Sequence, residues 1–222
     1  MRARKKKWAP DELANNPRIL REIAAYEGRS LKEYFGNDNP VHLEIGCGKG
    51  RFITETSIRH PDINFVAIER EAVILAAAAR YAQQMQAGSL VFVLEDVDNL
   101  LDYFKPGDIS RLYINFCDPW EGKKKRAKRR LTHDNYLAKY EELKIPEIFF
   151  KTDNRALFEG SLESFSRMKW TLENVSLDLH NSNMEDNIMT EYEEKFSPHG
   201  PIYRLEAKPP VLPLGHPNRK LL

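Results

Sequence analysis

The sequence predicts an α/β fold in which a doubly wound, mostly parallel sheet of seven strands carries helices on both faces. Two observations support this prediction. Strand-like apolar runs alternate with helical patterns along the chain, and several of the runs are almost wholly apolar. Strands covered by helices on both faces have this composition. With 222 residues, 41% of them hydrophobic, the chain can fill the core of one such domain.

The seven strands are predicted from apolar runs at 41–48, 63–70, 89–96, 111–118, 147–154, 171–180 and 201–208. Helices are predicted between them at 50–59, 71–87, 133–144, 155–168 and 190–197. The clearest helical pattern is 71–87, where apolar residues from Val73 to Met85 recur on one face and Gly88 marks the stop. We find no internal repeat.

The domain organisation follows from the two ends of the chain. Residues 1–12 are expected to form a mobile basic arm, and 13–207 a single domain. Residues 208–222 carry four prolines and are expected to form a disordered, proline-rich tail. No apolar run reaches the roughly 18 residues of a membrane span, and the basic start lacks the apolar core of a signal peptide. A cytoplasmic protein with no membrane partner is therefore expected.

Cysteine and histidine usage excludes several kinds of site. The two cysteines, Cys47 and Cys117, are too few for a disulfide scaffold, and neither belongs to a C-x-x-C pair. The six histidines are scattered without metal-ligand spacing. No metal is expected.

The net charge of +1 conceals a segregation of charge. The stretches 2–7 and 123–130 hold 12 of the 34 basic residues and no acid, which leaves 22 bases against 33 acids in the rest of the chain. A basic patch on an acidic body is the footprint of a protein that binds nucleic acid. Two solvated charge runs are the structural alternative.

A glycine-rich turn follows the first predicted strand. Gly46, Gly48 and Gly50 in "LEIGCGKG" let the backbone turn tightly and let a ligand approach it closely. The spacing is one residue shorter than the dinucleotide fingerprint, and Glu44 places negative charge where a pyrophosphate would bind. The predicted ligand is therefore not strongly anionic. S-adenosylmethionine fits, because it carries a sulfonium and an amino group and no phosphate.

Three further carboxylates end predicted strands at the same edge of the sheet, where doubly wound folds bind their ligands. Glu69 ends the second strand, at the distance from the turn where an acid accepts ribose hydroxyls. Asp96 ends the third strand and Asp118 the fourth. Glu44, Glu69 and Asp96 would each alternatively cap the helix that follows it. Strand alternation places Cys117 on the opposite face from Asp118, so Cys117 is predicted to be a core residue.

Four motifs in order carry a resemblance to a known family: "MRARKKKWA" at the start, "DPWEGKKKRAKRRLTH" at 118–133, "FKTDNRALFE" at 150–159 and "TEYEEKF" at 190–196. Over about residues 1–207 the chain resembles the bacterial tRNA (guanine-N7-)-methyltransferases. This resemblance implies a Rossmann-like, class I S-adenosylmethionine-dependent methyltransferase fold and a monomer or homodimer. It implies transfer of a methyl group from S-adenosyl-L-methionine to N7 of a guanosine in the tRNA variable loop.

The resemblance also implies roles for individual residues. Asp118 would be catalytic, by stabilising the positive charge that develops on the purine. The implied cofactor contacts are Glu44, Gly46, Gly48, Gly50, Glu69, Asp96 and Asp118. The implied substrate contacts are Lys123, Asp153, Thr190, Glu191, Tyr192 and Glu193, with Asp153 and Glu193 as acceptors for the guanine edge. The implied RNA contacts are Lys124, Lys125, Arg126, Lys128, Arg129 and Arg130.

Some alternatives stay open at this stage. This chain has Glu121-Gly122 where the family has proline, a lengthening by one residue, so the choice of Lys123 over its neighbours depends on that turn. Asp153 would alternatively cap the next helix, and Trp120 would either stack on a base or pack on the sheet. The competing functions are methylation of another RNA base, for which Cys117 is a candidate nucleophile, and non-catalytic RNA binding.

Overall fold

The computed structural model describes residues 6–20, 31–122, 124–184 and 186–211. Within these residues the chain forms one eight-stranded sheet in the order β1-β4-β3-β2-β5-β6-β8-β7. The strands are β1 (Ile19–Leu20), β2 (Val41–Ile45), β3 (Asn64–Glu69), β4 (Leu90–Leu94), β5 (Arg111–Asn115), β6 (Ile148–Thr152), β7 (Thr171–Ser176) and β8 (Tyr203–Lys208). All neighbouring pairs from β1 to β6 are parallel, and β8 runs antiparallel to both β6 and β7.

Helices cover both faces of this sheet. They are α1 (Ala9–Asn15), α2 (Leu31–Phe35), α3 (Arg51–Arg59), α4 (Ala72–Gln84), α5 (Leu100–Tyr103), α6 (Lys124–Ala127), α7 (Asp134–Glu142), α8 (Arg155–Arg167) and α9 (Glu191–Phe196). Alternate residues of β3 divide between two hydrophobic clusters. Phe65 and Ala67 pack with the buried residues of α3 and α4, whereas Val66 and Ile68 pack with those of α7 and α8. The doubly wound α/β prediction is thereby confirmed.

The predicted elements are present with shorter bounds. The sheet has one strand more than the seven predicted, because β1 is only two residues long and leaves no apolar run to detect. The fourth predicted run, 111–118, ends as a strand at Asn115. The prediction that Asp118 ends a strand is therefore wrong: Asp118 lies in the loop beyond β5.

The N-terminal arm differs from its prediction. Residues 9–12, assigned to a mobile arm, belong to α1, which packs against α4. Arg80 of α4 lies 4.0 Å from the ring centre of Trp8 and pairs with Glu12 at 2.6 Å. Residues 1–5 of the arm and 212–222 of the predicted tail lie outside the described residues. Among the helices that are described, none has the length and apolar character to cross a membrane.

Candidate active site

A cavity of about 510 Å³ opens at the carboxyl ends of the parallel strands. Most of its lining residues lie at or just beyond the ends of four strands: 45–46 for β2, 68–71 for β3, 95–98 for β4, and 116–118 with Trp120 for β5. The strand order reverses between β2 and β5, so the cavity lies at the topological switch point, where doubly wound folds bind ligands. The three carboxylates predicted to share this edge, Glu69, Asp96 and Asp118, all line the cavity.

The glycine turn has two functions. Gly46, Gly48 and Gly50 have φ angles of 71°, 57° and 78°, in the left-handed region that favours glycine. A Cβ at Gly46 or Gly48 would meet no atom within 4 Å, whereas a Cβ at Gly50 would lie 2.8 Å from Cβ of Ala78. Gly46 and Gly48 therefore leave space for a ligand, and Gly50 permits close packing of the turn against α4.

Glu44 is buried within β2, with 1% of its surface exposed. Its Oε1 accepts a hydrogen bond from Nδ2 of Asn115 at 2.9 Å, and its Oε2 is buried without a partner among the described residues. Burial raises the pKa of Glu44 to about 7. Buried polar atoms normally have a hydrogen-bond partner, so the unpartnered Oε2 is an acceptor that a ligand could use. A positively charged group of a ligand nearby would favour the ionised form of Glu44.

Glu69 is fixed by the backbone on both sides. Its Oε2 accepts from the Gly48 N–H at 3.2 Å, and its Oε1 accepts from the Glu71 N–H at 3.0 Å. Burial raises the pKa of Glu69, and the backbone donors oppose that rise. Because each carboxylate oxygen has two lone pairs, Glu69 can still accept hydroxyl groups from a ligand in the cavity.

Asp96 caps a short helix, and its predicted contact with the cofactor stays a prediction. Its side chain accepts from the Asp98 N–H at 3.0 Å and caps the short 3-10 helix Val97–Asn99. It also lines the cavity. The capping alternative is correct for this residue, and it leaves the second carboxylate oxygen available to a ligand.

Asp118 lies in an unusual loop. Two bulky residues that flank it, Phe116 and Trp120, have positive φ angles of 51° and 43°. The Asp118 side chain is 65% exposed and lies 3.7 Å from Nη2 of Arg70. Positive φ at bulky residues is uncommon and is concentrated at functional sites. Because Asp118 is exposed and lines the cavity, the loop presents one accessible carboxylate to a ligand there.

Cys117 packs against the hydrophobic core, as predicted. It is also among the residues that line the cavity with Asp118, because β5 has already ended and strand alternation no longer applies. Desolvation raises the pKa of the Cys117 thiol to about 12. The thiol is therefore protonated at neutral pH, which opposes its use as a nucleophile.

The basic run divides into parts with different environments. Arg126, Lys128 and Arg129 are exposed, and Arg129 lies 5.0 Å from the ring centre of Trp120. Arg130 is partly buried: its Nε donates to the Pro119 carbonyl at 2.8 Å, and its guanidinium lies against Gly160 of α8. These contacts favour a structural role for Arg130, and its predicted RNA contact stays a prediction. Of the lysines, Lys123 and the side chains of Lys124 and Lys125 lie outside the described residues.

The motifs at 150–159 and 190–196 meet beside the cavity. The Tyr192 hydroxyl donates to Oδ2 of Asp153 at 3.1 Å, and the Tyr192 ring packs on Phe116 with 5.1 Å between ring centres. Asp153 does not cap α8, because Asn154 accepts from the Leu157 N–H in that role. Exposed Asp153 thus remains a candidate acceptor for a substrate hydrogen bond.

Glu193 is misassigned by the sequence. It is 0% exposed, and its carboxylate is held by Lys151, Asn187 and His180. A base cannot reach it, so the predicted contact with the guanine edge is wrong. Thr190 caps α9 by accepting from the Glu193 N–H at 2.9 Å, and Glu191 is partly exposed at the start of that helix.

Sequence reasoning missed Lys151 and Asn115. Both are polar residues at the ends of buried strands, and both are themselves buried. The available signal was a lysine inside the otherwise apolar run "EIFFK". Among the described residues, no group of three or more histidine, cysteine, aspartate or glutamate side chains is arranged to hold a metal ion.

Comparisons of sequence place this arrangement among methyltransferases. The profile of a family described as "Putative methyltransferase" matches residues 38–205. The tRNA (guanine-N(7)-)-methyltransferase of Bacillus subtilis (strain 168) is 50% identical over 212 residues, which cover 94% of this chain and 99% of that protein. The protein of the same name from Listeria monocytogenes serovar 1/2a is 49% identical, with 94% and 98% covered.

Solved structures with a similar fold are more distant in sequence. The 16S rRNA methyltransferase KamB has a TM-score of 0.58 at 12% identity and covers 81% of this chain and 93% of its own. A variant of the 16S rRNA (adenine(1408)-N(1))-methyltransferase of Catenulisporales acidiphilia, crystallised with its cosubstrate SAM, has a TM-score of 0.57 at 13% identity, covering 83% and 91%. These likenesses confirm the methyltransferase fold.

Proposed function

Because this chain belongs to the tRNA (guanine-N(7)-)-methyltransferase family, we propose that it transfers a methyl group from S-adenosyl-L-methionine to N7 of a guanosine in tRNA. The observation that carries this proposal is the match over almost the whole chain to enzymes of that name. The product is 7-methylguanosine, and we place the acceptor in the variable loop, as the resemblance to this family implies.

The residues around the cavity fit this cofactor. Space beside Gly46 and Gly48 admits a ligand against the backbone, and Glu69 presents lone pairs to ribose hydroxyls. The unpartnered Oε2 of Glu44 adds negative potential behind the turn, where a cationic amino acid moiety is favoured. Asp96 offers an acceptor to the base of the nucleoside. Each of these groups suits a ligand with positive charge and no phosphate.

The chemistry requires little beyond placement. When bound, S-adenosyl-L-methionine supplies an electrophilic methyl group on a sulfonium, which leaves as a neutral thioether. Guanine N7 already exposes a lone pair and carries no proton, so the N–C bond forms as the S–C bond breaks without a protein base. Holding N7 and the methyl group in line supplies most of the catalysis.

Asp118 stabilises the charge that the reaction creates. Methylation makes the purine cationic, and the exposed Asp118 carboxylate at the cavity is positioned to lower the energy of that charge as it grows. Asp153, held by Tyr192, is a candidate acceptor for the guanine's N–H groups. We assign the exposed Arg126, Lys128 and Arg129 to phosphate contacts, which position an RNA without reading its sequence.

The proposal extends to the setting of the enzyme. We propose that it acts in the cytoplasm on folded tRNA, as a monomer or homodimer. Cofactor, acceptor and phosphate contacts are all assigned to side chains of a single chain, so either assembly is compatible with the reaction.

A labelled-methyl experiment tests the function. Bulk tRNA is incubated with the protein and methyl-labelled S-adenosyl-L-methionine, then digested to nucleosides and separated by mass spectrometry. Label in 7-methylguanosine is expected. Label in 5-methylcytidine or another nucleoside would establish the competing RNA methyltransferase, and binding of tRNA without any transfer would establish the RNA-binding alternative.

A further inference from the structure

Lys151 is a buried cation that the reaction, as described above, does not use. It lies near the end of β6 with 5% of its surface exposed. Its Nζ donates to Oε2 of Glu193 at 2.7 Å, to Oδ1 of Asn187 at 3.0 Å and to the Ile188 carbonyl at 2.9 Å. All three ammonium N–H groups are therefore matched by acceptors in α9 and in the segment that leads into it.

The carboxylate on the other side of this pair is equally saturated. Oε1 of Glu193 accepts from Nδ2 of Asn187 at 2.6 Å and from Nε2 of His180 at 3.1 Å. Buried ion pairs contribute little net stability, because desolvating both charges offsets their attraction. What such a pair does provide is a fixed geometry, since moving either partner leaves a buried charge unpaired.

The position of Lys151 connects the two halves of the site. On the cofactor side, its Nζ lies 5.2 Å from the ring centre of Phe52, in the first turn of α3 just after the glycine turn. Lys151 is also the register partner of Asn115, whose amide holds Glu44. A second ion pair, between Arg51 of α3 and Glu194, also holds α9.

On the acceptor side, the pair determines where Tyr192 lies. Tyr192 precedes Glu193 in α9, and it is 42% exposed where Glu193 is fully buried. With Glu193 anchored inward, the tyrosine ring faces Phe116 and its hydroxyl reaches Asp153. Phe116 belongs to the loop that carries Asp118. Release of Glu193 would remove the buried anchor of α9 and allow Tyr192 to shift away from both contacts.

We propose that Lys151 is a positioning residue. Through Glu193 it holds α9, so that Tyr192 and Asp153 keep their positions beside the loop that carries Asp118, the acceptor loop. This inference rests on the proposed function, because it assumes that the acceptor base binds next to Asp118. It assigns Glu193 of the "TEYE" motif to the protein interior and leaves contact with the base to Tyr192 and Asp153.

The test uses a double variant that removes both charges of the Lys151–Glu193 pair. Lys151→Met combined with Glu193→Leu removes both charges, and Lys151→Arg retains the cation as the conservative rescue. The matched control is Lys208→Met, which breaks a lysine–glutamate pair with Glu173 on the neighbouring strand, away from the cavity. Circular dichroism and thermal unfolding establish which variants are folded.

The expected result is a split between kinetic parameters. The double variant should lose on the order of 100-fold in kcat, because a displacement of about 1 Å costs that much, while its affinity for tRNA stays near wild type. Lys151→Arg should recover part of the loss, and Lys208→Met should match wild type. A folded double variant with wild-type kcat would overturn the proposal.

A second measurement separates positioning from a merely structural role. If Lys151 acts through Tyr192, the double variant should lose much less kcat in a Tyr192→Ala background than in wild type, since residues that act as a unit are non-additive. An equal fold-loss of kcat in the Tyr192→Ala background and in the wild-type background would contradict the proposal.

Hydrogen exchange gives a readout that does not depend on the substrate. The amides of 190–196 should exchange faster in the double variant than in wild type, whereas those of α4 should not change. Unchanged exchange in 190–196 would refute the inference even in a protein that methylates guanosine. Failure of the wild-type protein to form 7-methylguanosine would refute the proposed function instead.

Discussion

The two halves of the cavity are built in different ways. On the cofactor side, carboxylates are buried or held by backbone donors: Glu44 lies inside β2, and Glu69 is fixed between Gly48 and Glu71. On the acceptor side, Asp118 and Asp153 are exposed and lie on loops. The comparison teaches that the cofactor half is a preformed part of the sheet, whereas the acceptor half depends on contacts between loops.

The largest effect is expected from a substitution at Asp118 in the acceptor half, which should lower turnover without lowering affinity. Asp118→Asn keeps the size of the side chain and removes the charge that stabilises the cationic purine. Turnover should fall by about 10²–10³-fold, the range observed when one electrostatic contact to a developing charge is lost. Titration calorimetry and tRNA binding should show nearly wild-type affinities. Wild-type turnover in this variant would remove Asp118 from the mechanism.

The next prediction concerns the buried carboxylate of the cofactor half. Below pH of about 7, Glu44 in the free enzyme is protonated, since burial raises its pKa to about 7. A cationic cofactor favours the ionised form, so binding releases a proton and affinity should rise with pH, then level off above about 7. The limiting slope is about tenfold per pH unit.

Calorimetry of S-adenosyl-L-methionine binding from about pH 5.5 to 8 measures this dependence. Glu44→Gln retains the shape of the side chain and serves as the control: it should bind the cofactor more weakly at high pH and with a much flatter pH profile. A flat profile in the wild-type protein would contradict the assigned role of Glu44.

The smallest effects are expected in the basic run, where substitution of Arg130 and of Lys128 should have different consequences. Arg130→Ala should lower stability by about 1 kcal/mol, because it removes a hydrogen bond to the Pro119 carbonyl, and should leave the salt dependence of tRNA binding unchanged. Lys128→Ala should leave stability unchanged and reduce the slope of the logarithm of the tRNA binding constant against the logarithm of salt concentration by about 1. Thermal unfolding and salt titrations distinguish these outcomes, and identical behaviour of the two variants would show that the run is uniform.

Sequence reasoning was reliable where local rules decide the structure. The glycine turn and the strand end at Glu69 follow from periodicity and parallel topology, and both contribute to the cavity. Asp96 also lines the cavity, although β4 ends at Leu94 and not at Asp96 as predicted. The reasoning failed where tertiary contacts decide. Nothing local to "TEYE" shows that Glu193 points inward, because its partner Lys151 lies 42 residues away.

The acceptor loop was misread for a related reason. The apolar run from 111 to 118 continues beyond the end of β5, so alternation was extended over residues that had already left the sheet. Cys117 and Asp118 consequently line one cavity rather than opposite faces. The motifs of the family located the acceptor residues, but only the fold shows which of them are accessible.

The most direct test of the account concerns the acceptor atom. A tRNA transcript prepared with 7-deazaguanosine in place of guanosine has a carbon where N7 would be, and so lacks the lone pair that attacks the methyl group. This transcript is expected to bind like the guanosine transcript and to accept no labelled methyl group. Transfer of label to the 7-deaza transcript at the rate of the guanosine transcript would contradict methylation at N7.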